Sequence, residues 1–300
     1  MRTGVRSKKD AIYYHLMLLP GMALLLIFSI VPMFGLIMAF QRFVPAKGIF
    51  NSEFVGLHNF KLMFTFPDVK TVFFNTIFIA LFKIALGLVF PVLFALLLNE
   101  VRFAGFKRAV QTICYLPNFL SWVILAVMFS NIFSFSGMFN QIVAFFGGEP
   151  ILFLASNTWF RPILIATDVW KGFGYGAIIY LAAITNIDIN CYEAAGIDGA
   201  NRLQKVWYVT LPGIKATIVL MSTLALGNVL NAGFEQIYTM YSPVVYQTSD
   251  IIDTYVYRMG IVKLQFSFGT AVGMLKSVVS FCLIILSYRL ADRFAGYRIF

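Results

Sequence analysis

Apolar residues run almost without interruption along six stretches, and the polar positions collect between them. Stretches 16–40, 109–133 and 216–234 carry no charge, 72–98 carries only Lys83, 162–184 holds Asp168 and Lys171, and 264–288 holds Lys276. A helix needs about 20 mainly apolar residues to cross a hydrocarbon layer about 30 Å thick, at about 1.5 Å rise per residue. Each stretch therefore predicts one transmembrane helix, and the fold class is an all-α polytopic membrane protein with six spans. The first stretch follows Arg2, Arg6, Lys8 and Lys9 and so imitates a signal peptide. It is too long for an h-region and lacks a small-residue cleavage site, so it is expected to stay as a helix.

The connecting segments orient the bundle. With the N-terminus inside, segments 1–15, 99–108, 185–215 and 289–300 hold 13 Lys and Arg in 68 residues, against 7 in 88 for 41–71, 134–161 and 235–263. The positive-inside rule then places both termini in the cytoplasm. The expected organisation is a cytoplasmic arm over 1–15, a six-helix transmembrane body over 16–288 with a cytoplasmic loop at 185–215, and a cytoplasmic tail over 289–300. In 41–71, Pro45, Gly48 and Gly56 break helix, and the amphipathic stretch from Gly56 to Phe64 predicts a short helix on the outer interface.

Composition agrees with immersion in lipid. Of the 300 residues, 60% are hydrophobic and 12% charged, against about 25% charged in a soluble domain. The formal charge of +10 reads as loop topology rather than nucleic-acid binding, and no polar segment is large enough for a nucleotide-hydrolysing domain. Cys114, Cys191 and Cys282 are widely spaced with no neighbouring His, so they are expected to be buried small hydrophobes rather than a disulfide or metal set. No paired carboxylates, Ser/His/Asp set or metal spacing supports an enzyme, and Gly269-Thr-Ala-Val-Gly273-Met-Leu-Lys276 lacks the lysine directly after its second glycine that a phosphate loop needs.

Charged residues inside the spans are costly and should face protein or water. Asp168 and Lys171 stand three apart on one helix face and are expected to neutralise each other. Lys83, Lys171 and Lys276 are also candidates for a cationic pathway, which favours an acidic solute. Asn118, Trp122, Trp170, Asn228, Asn231, Glu235 and Gln236 supply aromatic faces and hydrogen-bonding side chains along the spans and are further candidates for lining the pathway. Interfacial anchoring and interhelical hydrogen bonding account for the same residues equally well. The glycine pairs Gly172/Gly176 and Gly269/Gly273 predict close helix packing.

The loop at 185–215 holds the most specific pattern. Asn190 is placed to cap a helix with Glu193 completing a capping box, Gly199 ends that helix, and Leu203, Val206 and Trp207 share one face of a second helix. Pro212 suits the first turn of the following span. This segment, Glu193-Ala194-Ala195-Gly-Ile-Asp198-Gly199-Ala200 followed by ten residues and Leu211-Pro212, resembles the EAA loop of permease subunits of type I ABC importers. Trp207 and Val209 stand where that family more often has Phe and Ile. Pro20-Gly21, Ala39-Phe40, Val55-Gly56, Asn59-Phe60, Asn231-Ala-Gly-Phe-Glu-Gln236 and Asp250 to Arg258 are similar to the carbohydrate-uptake group, the LplB-like polysaccharide and oligosaccharide permeases.

The resemblance implies a multi-pass subunit of a bacterial cell membrane that forms half of a pathway with a second, homologous permease. Two separate ATP-binding subunits would bind ATP and Mg and dock on the loop, with no cofactor in this chain, and an extracellular solute-binding protein would deliver an oligosaccharide. Glu193, Ala194, Ala195, Asp198, Gly199, Ala200, Leu211 and Pro212 are the implied coupling residues. An ABC permease for a non-sugar solute shares the loop and stays open at this point. An ion-coupled secondary transporter would need intramembrane carboxylates, broken helices or an inverted repeat.

Overall fold

The computed structural model describes residues 8–295, so 1–7 and 296–300 of the two expected cytoplasmic ends lie outside the described residues. Among the described residues, three helices, Ile12–Phe40, Pro67–Glu100 and Phe266–Ser287, are singly long and apolar enough to cross a membrane. Three bent helix pairs raise the number of candidate spans to six. The chain divides into two compact units.

The first unit comprises 1–66 and 256–274. Its long helix carries a π turn at Leu26–Ile30, just ahead of Pro32. Gln41–Arg42 then pairs antiparallel with Glu53–Phe54, and the expected amphipathic helix forms at His58–Thr65. Asn59 ties that helix to the end of the first span, since its buried side-chain amide donates to the carbonyls of Ala39 (2.9 Å) and Gln41 (3.0 Å). The N–H of Phe43 donates to Ser267 Oγ at 2.8 Å. Gly269 meets Gly260 so closely that a Cβ would lie 2.8 Å from the Gly260 Cα, whereas Gly273 has nothing within 4 Å of that position.

The second unit comprises 67–255 and 275–300. Its most extensive helix pairing is Pro67–Glu100 against Phe160–Thr185. Ile79, Leu125, Phe160, Leu164, Ile237 and Ile251 are fully buried in one core, and Ala95, Ala177, Tyr180, Ile184 and Ile214 form another. Arg161 braces one end of the pair, donating from Nε to the Thr248 carbonyl at 2.6 Å and from its terminal nitrogen to Asn75 Oδ1.

Two of the expected straight spans are broken. Where 109–133 predicts one helix, Ala104–Phe119 meets Trp122–Ile132 at 105°. Pro117 lies in a 3₁₀ turn, Leu120 and Ser121 are extended, and the Ser121 hydroxyl accepts from the Ile124 N–H. A proline cannot donate within a helix, and a serine cap starts a new one. Where 216–234 predicts another, Arg202–Gly213 bends by 59° into Lys215–Gly227, and the helix then stops. A new helix starts only at Phe234, after Gly233 with φ +93°, a left-handed conformation that favours glycine. Hydropathy reports apolar length but is blind to these backbone breaks.

Other expectations also change. Cys114 is half-buried and Cys191 and Cys282 are exposed, not buried. In the glycine run 172–176 the close approach comes from the middle residue: a Cβ on Gly174 would lie 2.1 Å from the Cys114 carbonyl oxygen, one on Gly176 would touch Pro91 at 3.2 Å, and one on Gly172 would meet nothing within 4 Å. Gly174→Ala is therefore expected to force the two helices apart at a cost of about 1–3 kcal/mol, while Gly172→Ala stays within about 0.5 kcal/mol of the parent. Thermal unfolding of the purified variants checks this, and equal melting temperatures for the two would contradict the packing assignment.

Candidate functional site

Each break in a span leaves backbone groups without helical partners, and lipid offers nothing to replace them. At the first break the Asn118 carbonyl accepts from Lys171 Nζ at 2.9 Å, and the same ammonium sits 5.5 Å from the centre of the Trp122 ring. At the second, the Ala232 carbonyl accepts from Lys83 Nζ at 2.8 Å. Lys83 also donates to Gln236 Oε1 and pairs with Asp168 Oδ1 at 3.2 Å. Asp168 thus pairs across to the neighbouring helix, and the expected Asp168–Lys171 pair is replaced by two separate contacts. The i, i+3 spacing permitted that pair, but the freed carbonyls and the neighbouring helix provide stronger claims on both lysines.

Lys83 is a closed site. Its side chain is 8% exposed, its three protons match three acceptors, and a Cβ on Gly233 would lie 2.8 Å from its Nζ. Gln236 is fully buried, with its amide nitrogen donating to the Leu164 carbonyl (2.8 Å) and Thr167 Oγ1 (2.9 Å). Lys83 holds the turn 228–233 in place, and Gln236 ties Lys83 to the helix Phe160–Thr185. A cavity of about 420 Å³ lies beside them, lined among others by Lys83, Asp168, Gly176, Tyr180, Asn228 and Asn231. The buried Tyr180 hydroxyl has no hydrogen-bond partner among the described residues.

Lys276 differs. It meets Asp253 Oδ1 at 2.5 Å, and both side chains keep about a quarter of their surface or a little less exposed, 21% and 25%. They line a second cavity of about 580 Å³ with Asn228, Asn231, Phe234 and Ser280. Glu235 is exposed in the first turn of Phe234–Met240. Trp170 packs edge-on against Phe129 at 5.6 Å and borders a third, apolar cavity of about 780 Å³ with Phe78, Phe82, Phe90, Arg161 and Phe173. The candidates therefore separate: Asn228, Asn231 and Lys276 face polar cavities, Lys83, Lys171 and Gln236 hold broken backbone, and Trp170 faces apolar surroundings. Asp253 was missed as the partner of Lys276, although its place in the Asp250 to Arg258 motif marked the segment; the polar run Asn231-Ala-Gly233 inside an apolar stretch was the available sign of a break.

The loop after Phe160–Thr185 turns by 71° into Ile189–Ile197. Asp188, not Asn190, caps this helix, accepting from the Asn190 N–H at 2.9 Å. Gly199 at φ +80° reverses the chain, as a C-terminal glycine does. Asn201 and Gln204 form a reciprocal capping box that starts Arg202–Lys205, which runs through a π turn at Val206–Thr210 into Leu211–Gly213. Pro212 thus lies before the 59° bend rather than in the first turn of Lys215–Gly227. Tyr192 and Thr210 hydroxyls bond at 2.9 Å across the two limbs, and Ile187 fills the space a Gly213 Cβ would need at 2.6 Å. Val206 packs inward, whereas Leu203 and Trp207 point out with Ile197 and Tyr208, each at least 67% exposed. Glu193, Ala194, Asp198 and Gly199 are also exposed, and Ala195, Ala200 and Leu211 are half-buried. No group of three or more His, Cys, Asp or Glu suited to a metal occurs among the described residues.

Comparison with known proteins gives these features a context. The family described as binding-protein-dependent transport system inner membrane component matches residues 87–296. The polygalacturonan/rhamnogalacturonan transport system permease protein YteP of Bacillus subtilis is 44% identical over 289 residues, 96% of this chain and 90% of that protein. Protein LplB of the same organism is 41% identical over 288 residues, again 96% and 90%. A chain from the crystal structure of a bacterial alginate ABC transporter, in complex with an alginate pentasaccharide-bound periplasmic protein, superposes with a TM-score of 0.89 at 36% identity, covering 97% of this chain and 98% of that one.

The two lysine sites should respond differently to neutralisation. Lys83→Met strands the Ala232 carbonyl and leaves Asp168 unpaired, with an expected loss of about 3 kcal/mol. Lys276→Met, at a part-exposed pair, is expected to cost about 1 kcal/mol or less. Melting temperatures of the two purified variants measure the difference, and the reverse order would refute the closed-site assignment.

Proposed function

The chain belongs to the binding-protein-dependent transport system inner membrane components, and from that membership we propose that it is one of two homologous permeases in an ATP-driven bacterial importer of oligosaccharides derived from acidic polysaccharides. It sits in the cell membrane with both termini in the cytoplasm, as the distribution of Lys and Arg supports. The observation that carries the coupling part of this reading is the hinged elbow at 188–213, which leaves Ile197, Leu203, Trp207 and Tyr208 exposed. Apolar side chains clustered on an exposed loop are the mark of a protein partner. That partner is a separate ATP-binding subunit, which holds ATP and Mg; this chain carries no catalysis of its own.

Closure of two such subunits would draw the paired elbows together. The Tyr192–Thr210 bond and the close contact of Ile187 with Gly213 join the helix Ile189–Ile197 to the base of the fifth span. A push on the elbow is then delivered to Lys215–Gly227 and to the turn 228–233, between inward-facing and outward-facing states. An extracellular binding protein supplies the ligand, as in the alginate system. The substrate class rests on relatives whose names specify polygalacturonan, rhamnogalacturonan and alginate, all polymers rich in uronate carboxylates. An ion-coupled carrier would also use broken spans, but Asp168 and Asp253 are each engaged by a lysine, and family membership favours the ATP-driven mechanism.

Gly199→Val places a β-branched residue at φ +80°, a strained conformation for it. In proteoliposomes containing both permeases and both ATPase subunits, this variant is expected to lower ligand-stimulated ATP hydrolysis and uptake by about tenfold or more, a loss of about 1.4 kcal/mol or more in coupling. Wild-type hydrolysis should rise when the binding protein carries a uronate oligosaccharide. Undiminished coupled uptake by Gly199→Val would count against the elbow as the lever.

A further inference from the structure

Resting on the reading of this chain as a permease for acidic oligosaccharides, we propose that Lys276 is the residue that recognises the carboxylate of a passing uronate unit, and that Asp253 is its resident counter-ion, displaced when the sugar enters. The two intramembrane lysines that border polar cavities do different work. The Lys83 ammonium has all three protons engaged, by the Ala232 carbonyl, Gln236 Oε1 and Asp168, and the group is buried. The more exposed member of that pair is the Asp168 carboxylate, at 35% against 8%. An anionic ligand in the 420 Å³ cavity therefore meets negative charge first, and finds no unengaged proton on Lys83.

The 580 Å³ cavity offers the opposite arrangement. Lys276 meets one acceptor among the described residues, Asp253 at 2.5 Å, so two of its three N–H donors face the cavity unassigned. The pair is partly open rather than sealed, at 21% and 25% exposure. Asn228, Asn231 and Ser280 line the same space with amide and hydroxyl groups suited to sugar hydroxyls, and Phe234 supplies an apolar face. A cation held by a single carboxylate at the wall of a polar cavity can exchange that partner for a ligand carboxylate, with the displaced Asp253 carboxylate left at the part-exposed cavity wall rather than in a dry interior. The waiting Asp253 also withholds the cation from neutral sugars, which cannot replace a carboxylate, so the exchange itself provides discrimination by charge.

The test measures binding of two probes to the complete transporter in nanodiscs, without the binding protein: an α-1,4-linked galacturonate trimer, and the same trimer with its carboxyls reduced to alcohols. Wild type is expected to prefer the acidic trimer by about tenfold to a hundredfold, the range for one charge-assisted hydrogen bond. Lys276→Gln should abolish the preference while leaving affinity for the reduced trimer within about twofold, Lys276→Arg should keep part of it, and Asp253→Asn should raise affinity for the acidic trimer by removing the competitor. A merely structural pair would lose affinity for both probes in Lys276→Gln and gain none in Asp253→Asn, which would overturn the proposal. So would a preference that survives in Lys276→Gln. Uptake measured alongside separates the two levels: a wild-type transporter that neither binds nor imports any uronate oligosaccharide refutes the substrate class, and the role of Lys276 with it. One that imports them with Lys276→Gln unimpaired refutes the role of Lys276 alone.

Discussion

Backbone that leaves the helix within a membrane has to find its hydrogen-bond partners inside the protein, and in this chain two lysines meet that requirement. Lys171 reaches the Asn118 carbonyl at the break in the third span, and Lys83 reaches the Ala232 carbonyl at the break after the fifth. An ammonium on a flexible stem is well suited to the task, because it delivers several donors into a space that a planar group would not enter. The charge so introduced needs its own compensation, which Asp168 gives to Lys83 and the Trp122 ring gives in part to Lys171. Charge inside the membrane thus accompanies irregular backbone, and the polar cavities open beside these same places.

The legibility of the sequence follows this division. Span positions were readable because apolar length is a one-dimensional property, and the elbow was readable in outline because Gly199 acts through local backbone chemistry, although its caps are Asp188 and the Asn201–Gln204 box rather than Asn190 with Glu193. The breaks were harder. Pro117 and Ser121 lie within an apolar stretch whose hydropathy stays high, and the break at Gly233 is signalled only by the short Asn231-Ala-Gly233 run. The pairing of Asp168 with Lys83 spans 85 positions of sequence, and a spacing argument confined to one helix points to Lys171 instead. The Lys276–Asp253 pair joins two stretches of the second unit that are 23 positions apart in sequence, so neither residue's surroundings name the other.

The elbow illustrates how local signals and exposure combine. Its caps make two short helices that would be marginal alone, and the Tyr192–Thr210 bond with the Ile187–Gly213 contact fixes their spacing. Val206 packs on the inner side, while Leu203 and Trp207, four positions apart, share an exposed stripe that Tyr208 extends.

Asn228 and Asn231 border both polar cavities, which makes the turn 228–233 a partition shared by two rooms. Moving a shared wall enlarges one room only by shrinking the other. With Lys83 holding that wall from one side at the Ala232 carbonyl, a displacement of the turn on the Lys276 side is carried to the Asp168 side as well.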